Sequence, residues 1–359
     1  MTNNFLRGMV EKLKDDDLSI MHDGQAASEF STYMDTGSYV LNALFSADLF
    51  GGIADNKAIA FAGESSAGKS FFVMAIMKNF LAENPEAIAI YYDTESAVTK
   101  EMMEKRGIDT TRVLIGEPAT VEQFRHKALT FLSHYIETPD KQKPKCLMIL
   151  DSLGMLSTTK EVNDTAEGKD TKDMTRAGIV RATFRTIRLK LAKAKVPLLV
   201  TNHTYAAIGS MYPTQEMSGG GGLKFAADQI AMISKRKEKV GDEVIGNVVH
   251  VKLYKSRITK ENKMVDVLIT YEGGLSKYYG LLDMAERYGV FKKVSTRFEL
   301  PDGSKHFGSA IYKDPERFFT REVLEKINEG VKKEFSYGSS YDSTREEVES
   351  VVADDAGEE

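Results

Sequence analysis

Eight consecutive residues, Gly63-Glu64-Ser65-Ser66-Ala67-Gly68-Lys69-Ser70, carry the spacing G-x-x-x-x-G-K-[ST] of a phosphate-binding loop. The glycines permit a tight turn, so that successive backbone N–H groups converge on one phosphate. Lys69 offers a cation to the β/γ-phosphates, and the Ser70 hydroxyl is a hard oxygen suited to Mg²⁺. Such a loop works only between a strand and a helix. Ala58–Ala62 reads as a buried strand and Phe71–Lys78 as a helix, whose N-terminal dipole would reinforce the anion site. All eight residues are therefore expected to line a nucleotide.

Further polar groups stand where apolar strands end. Ile88–Tyr92 runs into Asp93-Thr94-Glu95, Cys146–Leu150 into Asp151-Ser152, and Val196–Thr201 into Asn202-His203. Near-continuous apolar strands alternating with amphipathic helices imply a parallel sheet covered on both faces. In such sheets ligands bind beyond the carboxyl ends of the strands. Asp151 matches the strand-end aspartate that orients Mg²⁺ beside Ser70, and its alternative is an Asp capping the next turn. Glu95 is the candidate for activating an attacking water, against the alternative of an exposed loop carboxylate.

Two long polar connections leave the same edge. One spans Ser157 to Asp173 and leads into a helix bearing Arg176, Arg181, Arg185 and Arg188. The other runs from Thr204 and closes on Gly219-Gly220-Gly221-Gly222. Loops this long inside a compact domain are functional or disordered. Glycine lets backbone amides approach a ligand such as a phosphodiester, although four glycines also suit a linker. Beyond Gln229 the pattern turns antiparallel, with a charged turn expected at Lys235–Lys239.

The chain has 359 residues, 42% hydrophobic and 28% charged, the balance of an ordinary globular protein. A single cysteine, Cys146, excludes an internal disulfide framework and suits a reducing cytoplasm. No apolar run reaches the ~20 residues of a membrane span, and the N-terminus lacks a signal-peptide core. The net charge of −5 is concentrated in the acidic stretch from Ser343 onward, which leaves the body nearly neutral.

Taken together, these stretches resemble the RecA-type recombinases, and within them the phage UvsX-type branch. Gly63–Ser70, Tyr92–Glu95, Ile149–Gly154, Asp173–Ala177, Asn202–Tyr205, Gly219–Phe225, Lys255-Ser256-Arg257 and Gly280–Ala285 carry the resemblance in the family's order. It implies an α/β fold: a RecA-type P-loop ATPase core with a mostly parallel sheet, an N-terminal oligomerisation segment and a small C-terminal α/β domain. The implied boundaries are 1–35 for the segment, 36–275 for the core, 276–336 for the small domain and 337–359 for a disordered acidic tail. The implied activity is that of an ssDNA-dependent ATPase and strand-exchange recombinase using ATP and Mg²⁺. It would act as a helical filament on single-stranded DNA with a homologous duplex, in the cytoplasm of a phage-infected bacterial cell. A single-strand-binding protein and a loading mediator are the further partners implied. Glu95 matches the family's catalytic glutamate, and His203 matches a residue that senses the γ-phosphate. Lys255 and Arg257 match cations that reach the nucleotide of the neighbouring subunit. Residues at about 155–176 and 204–222 match the two DNA-binding loops, with affinity resting partly on backbone amides and on Arg176, Arg181 and Arg185. An aromatic that stacks on adenine in bacterial relatives falls here at Met102. The runner-up is a hexameric RecA-fold DNA helicase.

Overall fold

The apolar runs become the central strands because both of their faces find cover. In the computed structural model, which describes residues 4–14, 20–23, 29–169, 173–206, 215–218 and 221–338, the strands that matter are β1 (Ala58–Gly63), β2 (Ile88–Asp93), β3 (Val113–Gly116) and β4 (Cys146–Asp151). They are followed by β5 (Leu198–Ala206), β6 (Gln229–Val240), β7 (Glu243–Ser256) and β8 (Met264–Thr270). The sheet order is β8-β7-β6-β1-β5-β4-β2-β3. From β3 to β6 every pairing is parallel, whereas β6-β7-β8 is antiparallel. This is the expected α/β architecture, with the phosphate-loop strand β1 set between β5 and β6.

Alternation along the strands divides the interior into two cores. Ile59, Phe61, Tyr91, Leu147, Ile149 and Leu199 face one side. Ala58, Ala60, Ile90, Tyr92, Met148 and Val200 face the other. Helix α1 (Lys69–Glu83) covers the first side with Phe72, Val73, Ile76 and Met77. Helices α2 (Val121–Glu137) and α3 (Arg176–Ala194) cover the second with Phe124, Leu132, Val180, Phe184 and Ile187. Burying each such side chain contributes roughly 1.5–3 kcal/mol, so the sheet is rigid where the chemistry needs rigid strand ends.

Several local expectations change. The charged run Lys235–Lys239 is not a turn but the outer half of β6, and the reversal comes at Gly241, whose φ is +60°. No apolar alternation marks this ribbon, because from Ser234 onward β6 is mostly exposed. The fourth apolar strand does not stop at Asn202-His203 but continues to Ala206, where Gln215–Met217 pairs back onto it. Part of the first polar connection is a helix, Thr159–Ala166, opened by a capping box between Thr158 and Glu161. The exposed edge strand β3 was not anticipated.

Toward the C-terminus lie a three-stranded antiparallel sheet at 292–307 and helices that include Leu281–Arg287 and Arg321–Phe335. Their Leu281, Phe291, Ile327 and Phe335 join the same core as Phe45 and Phe61. The helix Asn4–Leu13 buries none of its residues and exposes Phe5, Leu6, Met9 and Leu13. The acidic stretch from Ser343 lies outside the described residues. Among the described residues no helix is long and apolar enough to cross a membrane.

Candidate active site at the carboxyl ends of the strands

Strand register sets the site. Gly63 pairs with His203, Asp93 with Asp151 and Leu150 with Val200, so the carboxyl ends of β1, β4 and β2 open beside residues 201–203 of β5, which itself continues to Ala206. Gly63 is required by close approach: a Cβ there would stand 2.4 Å from the Ile233 carbonyl oxygen on β6. Gly68 opens α1 at φ +87°, a left-handed conformation that costs glycine nothing. Between them Glu64, Ser65 and Ser66 are exposed and Ala67 is buried.

Lys69 is 5% exposed and folds back over its own loop. Its ammonium donates to the carbonyls of Gly63 at 3.0 Å and Glu64 at 2.8 Å. Burial pulls its pKa below the ordinary lysine value, opposed by the charges of Glu95 and Asp151. The ammonium also meets His203 Nδ1 at 3.3 Å, while His203 Nε2 meets Glu95 Oε1 at 3.0 Å. An ammonium can only donate, so Nδ1 accepts and the imidazole proton sits on Nε2, facing the carboxylate. Ser152 Oγ donates to the same Glu95 oxygen at 3.2 Å. Lys69 at the start of α1, His203 on β5, Glu95 after β2 and Ser152 after β4 thus form one continuous chain of contacts.

Asp151 is buried, with its carboxylate held by the Tyr91 and Thr201 hydroxyls from the flanking strands. Burial and the Asp151 charge push the Tyr91 hydroxyl well above its ordinary pKa, so it remains a donor. Each carboxylate oxygen keeps acceptor capacity beyond these single bonds. Ser70 Oγ has no hydrogen-bond partner among the described residues, and no cluster of three or more acidic, His or Cys ligands occurs there. The Ser70 hydroxyl and the Asp151 carboxylate are hard oxygen groups of the kind that suits Mg²⁺.

Three residues named in the sequence only within longer stretches turn out to hold the site together. Asp93 accepts from the backbone N–H groups of Glu95 at 3.0 Å and Val98 at 2.9 Å, which fixes the loop that presents Glu95. Asn202, fully buried, donates to Ser218 O at 2.9 Å, and Ser218 N–H donates back to His203 O at 2.8 Å. The His203 strand is thereby tied to the second long connection. Asp173 accepts from Thr158 Oγ1 and Thr175 Oγ1, each at 2.6 Å, pinning both ends of the first.

Other nominated residues stand elsewhere. Arg176 donates to Gly154 O at 3.0 Å and Leu156 O at 2.8 Å, bracing the turn after β4. Arg181 and Arg185 are exposed one turn apart on α3, and the Arg181 guanidinium lies over the Phe225 ring. Gly219 and Gly220 lie outside the described residues. Gly221 and Gly222 begin a short helix, and a Cβ on Gly222 would meet Arg181 N at 2.9 Å. Met102 is half-buried, and its carbonyl anchors Arg106, whose guanidinium stacks 4.3 Å from the Phe71 ring centre. Lys255 and Arg257 are at the opposite end of the sheet. Lys255 donates to the carbonyls of Lys224 and Ala227, and Arg257 pairs with Asp228 at 3.5 Å. Asp228 binds the first residue of β1, so the strand separates this group from the phosphate loop by about 17 Å.

Residues 9–276 match the model of the RecA N-terminal domain. The chain is 30% identical over 254 residues to a recombination and repair protein of Enterobacteria phage T4, covering 71% of this chain and 63% of that protein's length. It is 25% identical over 342 residues to protein RecA of Bifidobacterium longum, covering 93% of this chain and 81% of the relative. With protein RecA of Frankia casuarinae it shares 26% over 302 residues, 82% of each chain. A family model covering most of the chain, with a phosphate loop and polar strand ends gathered at one end of the sheet, establishes that the chain belongs to the RecA family.

Proposed function

We propose that this protein is an ssDNA-dependent ATPase and homologous recombinase that polymerises as a helical filament on single-stranded DNA and exchanges strands with a homologous duplex. The observation that carries the reading is the chain of contacts from Lys69 through His203 to Glu95, on a strand tied through Asn202 and Ser218 to the second long connection. A nucleotide site and a DNA loop then share one backbone. The relatives' names, a recombination and repair protein and RecA, support recombination over the ring-forming helicase.

Gly63 to Ser70 hold the phosphates through backbone amides, and Ser70 with Asp151 holds Mg²⁺. When bound, the metal neutralises charge developing on the transferred phosphoryl group. Lys69 exchanges the Gly63 and Glu64 carbonyls for phosphate oxygens. Each charged hydrogen bond it releases contributes ~1.5–3 kcal/mol, and a full anion is the stronger partner. His203 Nδ1 thereby loses the ammonium, and the imidazole is free to report phosphate occupancy along β5. Glu95, held by His203 and Ser152, orients and deprotonates the attacking water. Lys255 and Arg257 act on the nucleotide of the neighbouring copy, and Met102 with the Phe71–Arg106 stack borders the base. Arg181, Arg185 and the glycine run face DNA, with Arg176 bracing the first loop. The segment before about residue 36 docks on the neighbour, 36–275 is the catalytic core, 276–336 a small appended domain and 337–359 a tail. The setting is the cytoplasm of an infected bacterium, with a single-strand-binding protein and a loading mediator as partners.

Electron microscopy with ssDNA and a non-hydrolysable ATP analogue tests the reading. Helical filaments are expected; closed rings without filaments would sink it.

A further inference from the structure

The end of the sheet away from the phosphate loop carries more positive charge than its carboxylate needs. Asp228, directly before β6, has a side chain only 2% exposed. Its Oδ2 accepts the Ala58 N–H at 3.0 Å, while Oδ1 takes Arg188 Nη2 at 2.6 Å and Arg257 Nη1 at 3.5 Å. Its backbone is bonded to Ala58 O and to Arg257 N–H, so the carboxylate is fixed by β1 on one side and by the turn after β7 on the other. One cation would neutralise it, and two guanidinia converge. Lys57 and Lys255 lie within electrostatic reach of both Asp228 and Arg188, with Glu29 and Glu261 at the flanks. Burial first, then the Arg257 charge, holds the Lys255 ammonium below the ordinary lysine value. Arg188 and Arg257 remain 37% and 44% exposed. The remaining guanidinium nitrogens of Arg188 have no partner among the described residues. Unspent, forked donors on a rigid helix are suited to phosphate oxygens.

We propose that Arg188 is a third cation of the composite ATP site, presented with Lys255 and Arg257 to the phosphates bound by the neighbouring copy, and that Asp228 is the positioning residue that holds the two guanidinia side by side. This rests on the reading of Lys255 and Arg257 as acting in trans. Arg188 stands on α3, which begins at the first polar connection, so one helix joins a DNA-facing loop to a phosphate-facing cation about 18 Å away.

Mixed filaments test it. Arg188→Gln is expected to lower DNA-stimulated ATP turnover about tenfold or more, as when one transition-state cation is removed. Its ssDNA affinity and the ATP affinity of the dilute chain should stay unchanged. Mixed with Lys69→Ala chains, which lack a working phosphate loop but present an intact Arg188, the Arg188→Gln chains should recover turnover above the sum of the two alone. A mixture of Lys255→Ala with Lys69→Ala is measured beside it. If that pair recovers and the Arg188 pair does not, the role of Arg188 is overturned while the trans reading stands; if neither recovers, both fall. The double variant Arg188→Gln/Asp228→Asn separates a phosphate contact from mere neutralisation of Asp228. Turnover no better than the single variant supports the contact, and restoration to the wild-type rate overturns it.

Discussion

The two ends of the parallel sheet treat charge in opposite ways. At the carboxyl end Lys69, His203, Glu95 and Asp151 satisfy one another or nearby hydroxyls and carbonyls, so the site is closed upon itself. At the amino end Arg188 and Arg257 share a single buried carboxylate and stay partly exposed, beside Lys255, which donates to nearby carbonyls. A closed cluster can wait in isolation for a ligand. An open cationic one has a use only when something anionic is brought to it. The difference fits a site divided between two copies of the chain, each giving its phosphate loop to one neighbour's cations and its cations to the other neighbour's nucleotide.

The largest expected effect breaks the closed end. Lys69→Ala should reduce ATP hydrolysis by about a thousandfold or more, the range for losing a principal phosphoryl-stabilising cation. Unchanged DNA-stimulated turnover in a steady-state assay would remove the phosphate loop from the chemistry. A smaller effect separates packing from DNA contact along α3. Gly222→Ala places a methyl against the Arg181 backbone and should lower stability by ~1–3 kcal/mol. Thermal melting reads it; a wild-type melting temperature with weakened ssDNA binding would make Gly222 a ligand contact instead. The smallest effect concerns the first polar connection. Hydrogen bonds from Thr158 and then Thr175 hold the Asp173 carboxyl down to about 2. A depressed carboxylate stabilises the fold fully above its unfolded value of about 3.9 and loses that contribution as the pH falls through the folded value. Asp173→Asn should therefore melt lower than wild type at pH 7, with the two curves converging toward pH 2. A gap that does not depend on pH would mean that the carboxylate charge is irrelevant to that loop.

What could be read from sequence was what local patterns encode. The apolar runs that become β1, β2 and β4 declared themselves because burial on both faces leaves no polar interruption. The phosphate loop declared itself because its spacing is a backbone requirement. The helix Thr159–Ala166 was legible in principle, since Thr158 and Glu161 form its capping box, but a polar helix without an apolar face resembles a loop. The outer half of β6 was misread as a turn because a ribbon exposed on both faces has no alternation to show. The supporting roles of Asp93 and Asn202, and Asp228 altogether, are not legible in the sequence for a different reason. The contacts of Asn202 and Asp228 join segments distant in sequence, such as Asp228 to Ala58 and Arg188, and no spacing rule reports them. Lys255 and Arg257 entered only through the family resemblance, and within one chain they stay at the far end of the sheet from the loop they are proposed to serve.

A site divided between copies, as proposed, would make turnover a property of assembly. The most direct measurement is the rate of ATP hydrolysis per subunit, with and without ssDNA, as protein concentration rises from the dilute chain to the filament. A composite site requires a low, DNA-independent rate in the dilute chain and a cooperative rise on ssDNA that Lys255→Ala abolishes while leaving the dilute rate alone. A rate per subunit independent of both concentration and DNA would contradict it.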